Sequence, residues 1–315
     1  MRAVVLDLKG LEAIDLSPIE NIVSEFVSYD LTQPDQVLER VEGADILITN
    51  KTAITAEVMD AAEQLKYICV LATGANVIDK AAAAERDIPV SNCVAYGVSS
   101  VVQHVWSMIL ALHTNLVSYA NDVQKGQWQR SDQFCFLDYP IVELEGKTLG
   151  IIGYGNLGQG VANVASAFGM KVLVAQSLSG NVQDSNRVSL DELIATSDVI
   201  SLHCPLTDDT ENLFNRSTFK QMKNTAFLVN AARGGIVNEQ DLVDALKSAE
   251  IAGAATDVLT VEPPKDGNPL LNPSIPNLLV TPHIAWGTLE ARTRIIQQTA
   301  DNIQAYLRGE HSNPV

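Results

Sequence analysis

An arginine, a glutamate and a histidine follow three successive predicted β-strands in the second half of the chain: Arg233, Glu262 and His283. A histidine exchanges protons near neutral pH, and a nearby carboxylate favours its charged form. A fixed guanidinium binds a carboxylate and a carbonyl through two parallel hydrogen bonds. Together these groups suit the reduction of a 2-oxo acid, in which the carbonyl oxygen takes a proton while the carbon takes a hydride. Singly, each has an ordinary alternative: a structural ion pair, a solvated loop charge, and a core or capping histidine.

A glycine motif, Gly-Tyr-Gly-Asn-Leu-Gly at 153–158, precedes these residues. An apolar run comes before it and a helical pattern, Gln159 to Phe168, comes after it. This strand–turn–helix context is typical of a dinucleotide site, although a plain tight turn is the alternative. Gly153 allows the turn, Gly155 admits a pyrophosphate, and Gly158 lets the helix pack on the strand. The N–H groups and the dipole at the start of the helix favour phosphate.

The region after residue 147 predicts six strands with helices between them, as in the six-stranded nucleotide-binding fold. Because ligands bind outside the carboxyl ends of such strands, the three candidate side chains are expected at the cofactor edge. The predicted strands are Thr148–Gly153, Lys171–Ala175, Asp198–Leu202, Ala226–Asn230, Ile251–Thr256 and Leu278–Thr281. The predicted helices are Gln159–Phe168, Leu190–Ala195, Arg216–Met222 and Glu239–Ser248.

An earlier alternating series predicts a second parallel sheet. We expect an α/β fold of two doubly wound parallel-sheet domains. A Rossmann cofactor domain, residues 99–286, is expected to be inserted into a flavodoxin-like substrate domain, residues 1–98 and 287–315. The predicted strands of the earlier series are Ala3–Leu8, Ala44–Thr49, Tyr67–Ala72 and Ile88–Val90, and its helices are Ile19–Phe26, Pro34–Val41 and Ala56–Gln64. Long helices are predicted at Ser99–Gln124 and Thr288–Arg308.

Composition limits the possible partners. The chain has 315 residues, 46% of them apolar, and a formal charge of −17, which argues against nucleic-acid binding. We expect no signal peptide and no membrane span, because the chain shows neither a charged-then-apolar leader nor a long enough apolar run. The four cysteines are far apart, which argues against a metal site or a disulfide framework and favours a cytoplasmic protein.

Several motifs resemble those of the D-isomer-specific 2-hydroxyacid dehydrogenases, and the resemblance extends over nearly the whole chain. It rests on Asn-Ala-Ala-Arg-Gly-Gly at 230–235, Glu-Pro-Pro at 262–264 and Thr-Pro-His-Ile-Ala at 281–285. Residues 71–79 resemble the family's substrate-carboxylate loop, and residues 99–104 the start of its interdomain helix. The resemblance implies that Arg233 anchors the substrate, that His283 is the acid/base and that Glu262 is its partner.

The resemblance also implies contacts to the two ligands and a homodimer. The backbone at Thr73, Gly74 and Ala75 would contact the substrate. Asn50-Lys51 and Trp286 are similar to the glycerate dehydrogenase (hydroxypyruvate reductase) branch and would bind substrate too, although Lys51 is equally explained as a solvated loop lysine. The residues implied to line the cofactor are Thr73, Asn156, Leu157, Cys204, Pro205, Ala231, Arg233, Asp257, His283 and Ala285.

The turn after the second strand of the cofactor domain departs from the usual pattern. An acidic residue generally holds the ribose hydroxyls there, but this chain has Gln176 and Ser177. Gln176 can bind a hydroxyl without repelling a phosphate, and no arginine stands at this turn to hold a 2′-phosphate. The cofactor is therefore expected to be NAD, with NADP possible.

The sequence favours an enzyme that reversibly reduces hydroxypyruvate or glyoxylate to the D-2-hydroxy acid. Two alternatives stay open: an NAD-sensing corepressor of the same fold, and a dehydrogenase for another acid such as D-3-phosphoglycerate. The aromatic-rich stretch 125–143 is either a loop packed on its own domain or a subunit contact. His104 and His113 are interpreted as packing or polar-network residues, and Cys204 as a packing residue.

Overall fold

The computed structural model describes residues 1–178, 184 and 186–315. Its strands are, in chain order, β1 Arg2–Val5, β2 Glu25–Ser28, β3 Ile46–Thr49, β4 Tyr67–Val70, β5 Val90–Ser91, β6 Thr148–Ile152, β7 Lys171–Val174, β8 Val199–Leu202, β9 Phe227–Asn230, β10 Gly253–Thr256 and β11 Leu278–Val280. Its α-helices are α1 Ser17–Glu20, α2 Val37–Val41, α3 Ala56–Ala61, α4 Lys80–Glu85, α5 Val98–Thr114, α6 Leu116–Gln124, α7 Asn156–Ala167, α8 Leu190–Thr196, α9 Arg216–Phe219, α10 Glu239–Lys247 and α11 Leu289–Leu307.

The chain forms two compact units. Unit 1 consists of Met1–Gly97 and Trp286–Val315, and unit 2 consists of Val98–Ala285. The sheet of unit 1 has five parallel strands in the order β2-β1-β3-β4-β5. This is the flavodoxin-like order. β2 lies on one side of β1, and the later strands are added in sequence on the other side, so the strand order reverses between β1 and β3.

Both faces of the unit 1 sheet are buried, which explains why its central strands are apolar without alternation. Ile46, Leu47 and Ile48 of β3 are all fully buried. Side chains of α2, α3 and α4 pack against one face, and α11 packs against the other. Tyr67 of β4 stacks on Tyr306 of α11, with 4.4 Å between the ring centroids.

The sheet of unit 2 has six parallel strands in the order β11-β10-β9-β8-β6-β7. β8 pairs directly with β6, Leu149 lying opposite Val199. The order therefore differs from the 3-2-1-4-5-6 arrangement of the six-stranded nucleotide-binding fold. The reversal point still lies beside β6, whose carboxyl end carries the glycine motif.

Two predicted helices are wrong. The long helix predicted over 99–124 is divided into α5 and α6, because Asn115 takes a left-handed conformation with φ 50°, which asparagine tolerates better than most residues. The helix predicted over 19–26 is instead the short α1 followed by β2. β2 is the edge strand and pairs with β1. None of its residues is buried, so its sequence lacks the apolar pattern of a buried strand. Its strand conformation comes from pairing with β1.

No helix in the described part of the chain has the length and apolar character needed to cross a lipid bilayer. Nor do the described residues include three or more His, Cys, Asp or Glu side chains grouped so that they could hold a metal ion.

Candidate active site

The glycine motif forms the connection between β6 and α7. Gly153 has φ 94°, a conformation that favours glycine, and a Cβ there would collide with the backbone of Cys204. A Cβ on Gly158 would collide with the carbonyl oxygen of Gly153, so this glycine allows the first turn of α7 to lie against the end of β6. Asn156 and Leu157 occupy that first turn.

The start of α7 fits a dinucleotide pyrophosphate. Among the described residues, no atom lies within 4 Å of the position that a Cβ on Gly155 would take, so a ligand can approach the backbone there. Nor does a described side chain cap the helix at Gly155. The N–H groups of the first turn are therefore available to phosphate oxygens, which the helix dipole also favours.

The turn after β7 is organised by Gln176. Its side-chain amide nitrogen donates to the carbonyl oxygens of Asp184, at 3.0 Å, and Arg187, at 3.1 Å. Only the oxygen of this amide remains to accept from a ribose hydroxyl. The partly buried Ser177 follows. Arg187 lies at this turn as well, its guanidinium carbon 5.7 Å from the ring centroid of Tyr154 in the glycine motif.

The loop after β8 carries two groups that burial keeps uncharged. Burial lowers the pKa of His203 to about 4 and raises the pKa of the Cys204 thiol to about 11. His203 is thus a neutral imidazole near pH 7, and Cys204 is a packing thiol rather than a nucleophile. The next residue, Pro205, accepts a hydrogen bond from the Thr210 hydroxyl at 2.7 Å.

Arg233 follows β9 in a loop that Asn230 holds in shape. The Asn230 amide nitrogen donates to the Arg233 carbonyl oxygen at 2.9 Å, and its oxygen accepts from the Ala232 N–H at 3.0 Å; Ala231 lies within the same turn. The exposed Arg233 guanidinium donates once, to the Ala232 carbonyl oxygen at 2.7 Å. Its other N–H groups donate to no described residue, so they are available to a ligand carboxylate.

Glu262 and His283 lie in contact. His283 Nδ1 is 2.6 Å from Glu262 Oε2, and Glu262 Oε1 accepts from the Leu259 N–H at 2.7 Å. Each side chain is about one-third exposed, at 31% for His283 and 33% for Glu262. A carboxylate only accepts hydrogen bonds, so Nδ1 carries a proton, and any proton transfer between this ring and a ligand would involve Nε2.

The backbone of His283 is held by Asp257 and Thr281. His283 has φ 54°, and its N–H donates to the carbonyl oxygens of Asp257, at 2.8 Å, and Thr281, at 3.0 Å. The buried Asp257 carboxylate accepts from the N–H groups of Ile284, at 3.0 Å, and Ala285, at 2.8 Å. Burial raises the pKa of the Asp257 carboxyl, but hydrogen bonds from His104, Thr281 and these N–H groups outweigh burial and lower it.

Unit 1 carries the other predicted ligand contacts at the carboxyl edge of its sheet. Asn50 and Lys51 follow β3, and residues 73–75 follow the neighbouring β4. The Thr73 hydroxyl donates to the Cys93 carbonyl oxygen at 2.9 Å. The backbone N–H groups of Thr73, Gly74 and Ala75 donate to no described residue. Trp286 is partly buried against the core of unit 1.

Unit 2 therefore brings together the glycine motif, Arg233 and the Glu262–His283 pair, and unit 1 brings Lys51 to the same sheet edge as residues 73–75. Arg187 was not among the expected site residues, because it returns to the turn through a bridge between Ala175 and Val188 that no local pattern reveals. The buried Asp7 was not among them either, because it contacts the Lys51 loop through hydrogen bonds that have no sequence signature.

Comparison with known proteins agrees with this geometry. The profile of the D-isomer specific 2-hydroxyacid dehydrogenase NAD binding domain matches residues 106–285. A glycerate dehydrogenase from Methylorubrum extorquens is 44% identical over 306 residues, 96% of each chain. A hydroxypyruvate reductase from Blautia hydrogenotrophica is 40% identical, covering 98% of this chain and 95% of that protein.

A solved structure extends the similarity to the whole fold. The TT0316 protein from Thermus thermophilus has a TM-score of 0.89, 34% identity and full coverage of both chains. The profile match covers more than half of this chain, and the two relatives are similar over nearly its full length. The chain is therefore an oxidoreductase with an NAD binding domain, and it belongs to the D-isomer specific 2-hydroxyacid dehydrogenase family.

Proposed function

We propose that this enzyme reduces hydroxypyruvate or glyoxylate to the corresponding D-2-hydroxy acid, reversibly. The contact that carries the proposal is the 2.6 Å hydrogen bond between Glu262 and His283, on the same unit as the uncapped glycine turn. The names of the two relatives favour these small substrates over larger 2-oxo acids. D-3-Phosphoglycerate is the competing substrate.

A nicotinamide cofactor, held at the glycine turn before α7 and at Gln176, would supply or remove the hydride. Arg233 binds the carboxylate and the carbonyl oxygen of the 2-oxo acid through its unused N–H groups, and so fixes and polarises the carbonyl. His283 Nε2 gives a proton to the carbonyl oxygen during reduction and takes it back during oxidation. Glu262 holds the ring by its Nδ1 proton and stabilises the imidazolium.

Unit 1 offers a second anion-binding group. Three consecutive N–H groups, those of Thr73, Gly74 and Ala75, donate to no described residue, and such a series is suited to a carboxylate. We assign them to the substrate carboxylate, with Lys51 and Asn50 from the neighbouring loop and Trp286 as further substrate contacts. The lysine cation favours an anionic substrate.

NADH is the proposed cofactor, because the Gln176 oxygen can accept from a ribose hydroxyl at the turn after β7. Arg187 adds a cation at the same turn, so NADPH is the alternative cofactor. The deciding assay measures kcat/KM with both cofactors. A strong preference for NADPH would contradict the assignment of Gln176.

The substrate is tested with a panel of 2-oxo acids: hydroxypyruvate, glyoxylate, pyruvate and 3-phosphohydroxypyruvate. We expect fast NADH oxidation with hydroxypyruvate or glyoxylate, and the D-isomer as product. Tight NADH binding without turnover of any of these acids would indicate a nucleotide-sensing protein and would refute the proposed enzyme activity. If kcat/KM is highest with 3-phosphohydroxypyruvate, the substrate assignment is wrong and the protein is a D-3-phosphoglycerate dehydrogenase.

We also propose a homodimer in the cytoplasm. α6 and the segment after it expose a series of large apolar side chains, which commonly mark an interface. They are Leu116, Val117, Trp128, Phe134, Leu137 and Ile141. The four cysteines are all free thiols, as a reducing compartment maintains them.

A further inference from the structure

Asp7, two residues after the end of β1, is a buried carboxylate that takes no part in the mechanism above. The residue is only 6% exposed. Oδ1 accepts from the Asn50 N–H at 2.7 Å, and Oδ2 accepts from the N–H groups of Lys51, at 2.5 Å, and Thr52, at 2.8 Å. The Thr49 hydroxyl lies 3.2 Å from Oδ1 and 2.8 Å from the Thr52 carbonyl oxygen.

The loop after β3 is therefore an anion-binding cradle of three consecutive N–H groups, and Asp7 fills it. No ion pair among the described residues reaches Asp7, and the single Thr49 hydroxyl proton lies closer to the Thr52 carbonyl oxygen, so the three backbone N–H groups are the main partners of this carboxylate. Such concave series of N–H groups bind anions elsewhere in proteins. Here the anion is the side chain of Asp7, which follows β1, the strand paired with β3.

A second series of N–H groups lies in the next loop of the same sheet. β3 and β4 are paired, and the Leu71 N–H donates to the Thr49 carbonyl oxygen at 2.8 Å, so the loops that follow these strands are neighbours. In the loop after β4 the N–H groups of Thr73, Gly74 and Ala75 meet no acceptor among the described residues; Thr73 is exposed and Ala75 is buried. The cradle after β3 is thus occupied by an internal carboxylate, whereas the cradle after β4 has no acceptor among the described residues.

We propose that Asp7 is a positioning residue that determines how this edge recognises its substrate. By filling the cradle after β3 it leaves the cradle after β4 as the site for the substrate carboxylate. By fixing the backbone of Asn50 and Lys51 it holds the lysine at the same edge. The proposal rests on the proposed function, because it assigns Asp7 a role in binding the 2-oxo acid at this edge of the unit 1 sheet.

Steady-state kinetics at saturating NADH test the role. We expect Asp7→Gly and Asp7→Asn to raise the KM for hydroxypyruvate by about tenfold or more, while kcat changes by less than about threefold, the signature of lost ground-state binding. The KM for NADH should not change. Asp45→Asn is the matched control: Asp45 accepts from the Arg2 N–H at 2.8 Å and from Lys66 Nζ at 2.6 Å, at the amino ends of the same strands. It should lower Tm without raising the KM.

Chemical rescue with formate separates this role from simple destabilisation. In Asp7→Gly the cradle is empty, so formate should raise Tm in a concentration-dependent way and restore part of the KM. In wild type formate can only compete with substrate, and in Asp7→Asn the amide occupies the cradle. Equal formate stabilisation of wild type and Asp7→Gly would refute the proposal.

The two failures are distinguishable. If wild type turns over no 2-oxo acid, the proposed function is wrong, and the formate-dependent Tm still decides whether Asp7 fills an anion cradle. If wild type is active and the Asp7 variants keep a wild-type KM, the proposed function stands and the role of Asp7 is refuted. If Asp7→Gly does not fold, the KM of Asp7→Asn decides the outcome.

Discussion

At the scale of single residues, the proposed role of the hydrogen bond between Glu262 and His283 is to hold the ring for proton transfer. Reduction needs a proton donor, and oxidation needs a proton acceptor. Glu262→Gln keeps the size of the side chain but removes its charge, so we expect it to lower kcat/KM for the 2-oxo acid by about tenfold or more. The measurement is kcat/KM in both directions.

His203 provides the control for this loss. Its pKa of about 4 keeps it neutral near pH 7, so His203→Gln should leave kcat/KM for the 2-oxo acid close to wild type even if stability falls. The same kcat/KM in Glu262→Gln and wild type would show that Glu262 does not act on the proton donor.

Arg233 makes a different kind of contribution, because its planar guanidinium can form two parallel hydrogen bonds. We expect Arg233→Ala to lower kcat/KM for the 2-oxo acid by about 100-fold or more, since charged hydrogen bonds are among the strongest. Arg233→Lys should recover only part of this loss, because an ammonium lacks the two-donor geometry. NADH binding, followed by fluorescence, should stay close to wild type in both variants. Near-normal kcat/KM in the alanine variant would remove Arg233 from the substrate site.

At the scale of elements, α5 connects to the catalytic loop through His104. His104 Nε2 lies 3.0 Å from Thr281 Oγ1 and 3.4 Å from Asp257 Oδ1. The Thr281 hydroxyl donates to Asp257 Oδ1 at 2.5 Å, so it accepts from His104, and the ring carries its proton on Nε2. The helix thereby supports the two residues that hold the His283 backbone.

We expect His104→Ala to lower kcat by about tenfold. This factor corresponds to the free energy of about one hydrogen bond. His104→Gln, which keeps an N–H donor, should restore much of the rate. His113 on the same helix is the matched control: it bonds to the Ile109 carbonyl oxygen of its own helix and packs on Phe227. His113→Phe should change Tm and leave kcat intact. Equal kcat losses at both positions would mean that the effect is general destabilisation.

Elements with strong local signals were predictable from the sequence. The apolar strands that end at Thr49, Val70 and Asn230 lie within their predicted ranges, because central parallel strands are buried on both faces. β2 was not predictable, since a half-exposed edge strand carries no such pattern. The break between α5 and α6 at Asn115 was not predictable either, because one left-handed residue does not interrupt the apolar periodicity.

The residues of the candidate site also divide into those with a local sequence signal and those without one. Arg233, Glu262 and His283 were identifiable because each directly follows a strand or its loop. Asp7 and Arg187 reach their partners across strands, Asp7 from 43 residues away from Asn50. Such contacts depend on tertiary pairing and leave no periodic signal in the sequence.

At the scale of the whole molecule, the exposed apolar side chains after α6 predict self-association. Phe134 is 89% exposed and Leu137 is 73% exposed. We expect wild type to be a dimer by light scattering, and Phe134→Ser combined with Leu137→Ser to shift it towards monomer. The matched control is Leu271→Ser, because Leu271 is also exposed, at 47%, but lies far along the chain in a short turn after α10. A monomeric wild type would contradict the proposal.

The position of α11 has a consequence for biosynthesis. Ile295, Ile296 and Ile303 of this helix cover one face of the unit 1 sheet, yet β4 ends at Val70 and α11 begins only at Leu289. At the usual translation rate of about 5 to 20 residues per second, α11 is synthesised roughly 10 to 40 seconds after β4. That face of the sheet stays uncovered during this time. All of unit 2, Val98–Ala285, is synthesised while that face is uncovered. This interval is when the chain is most dependent on chaperones and most exposed to aggregation.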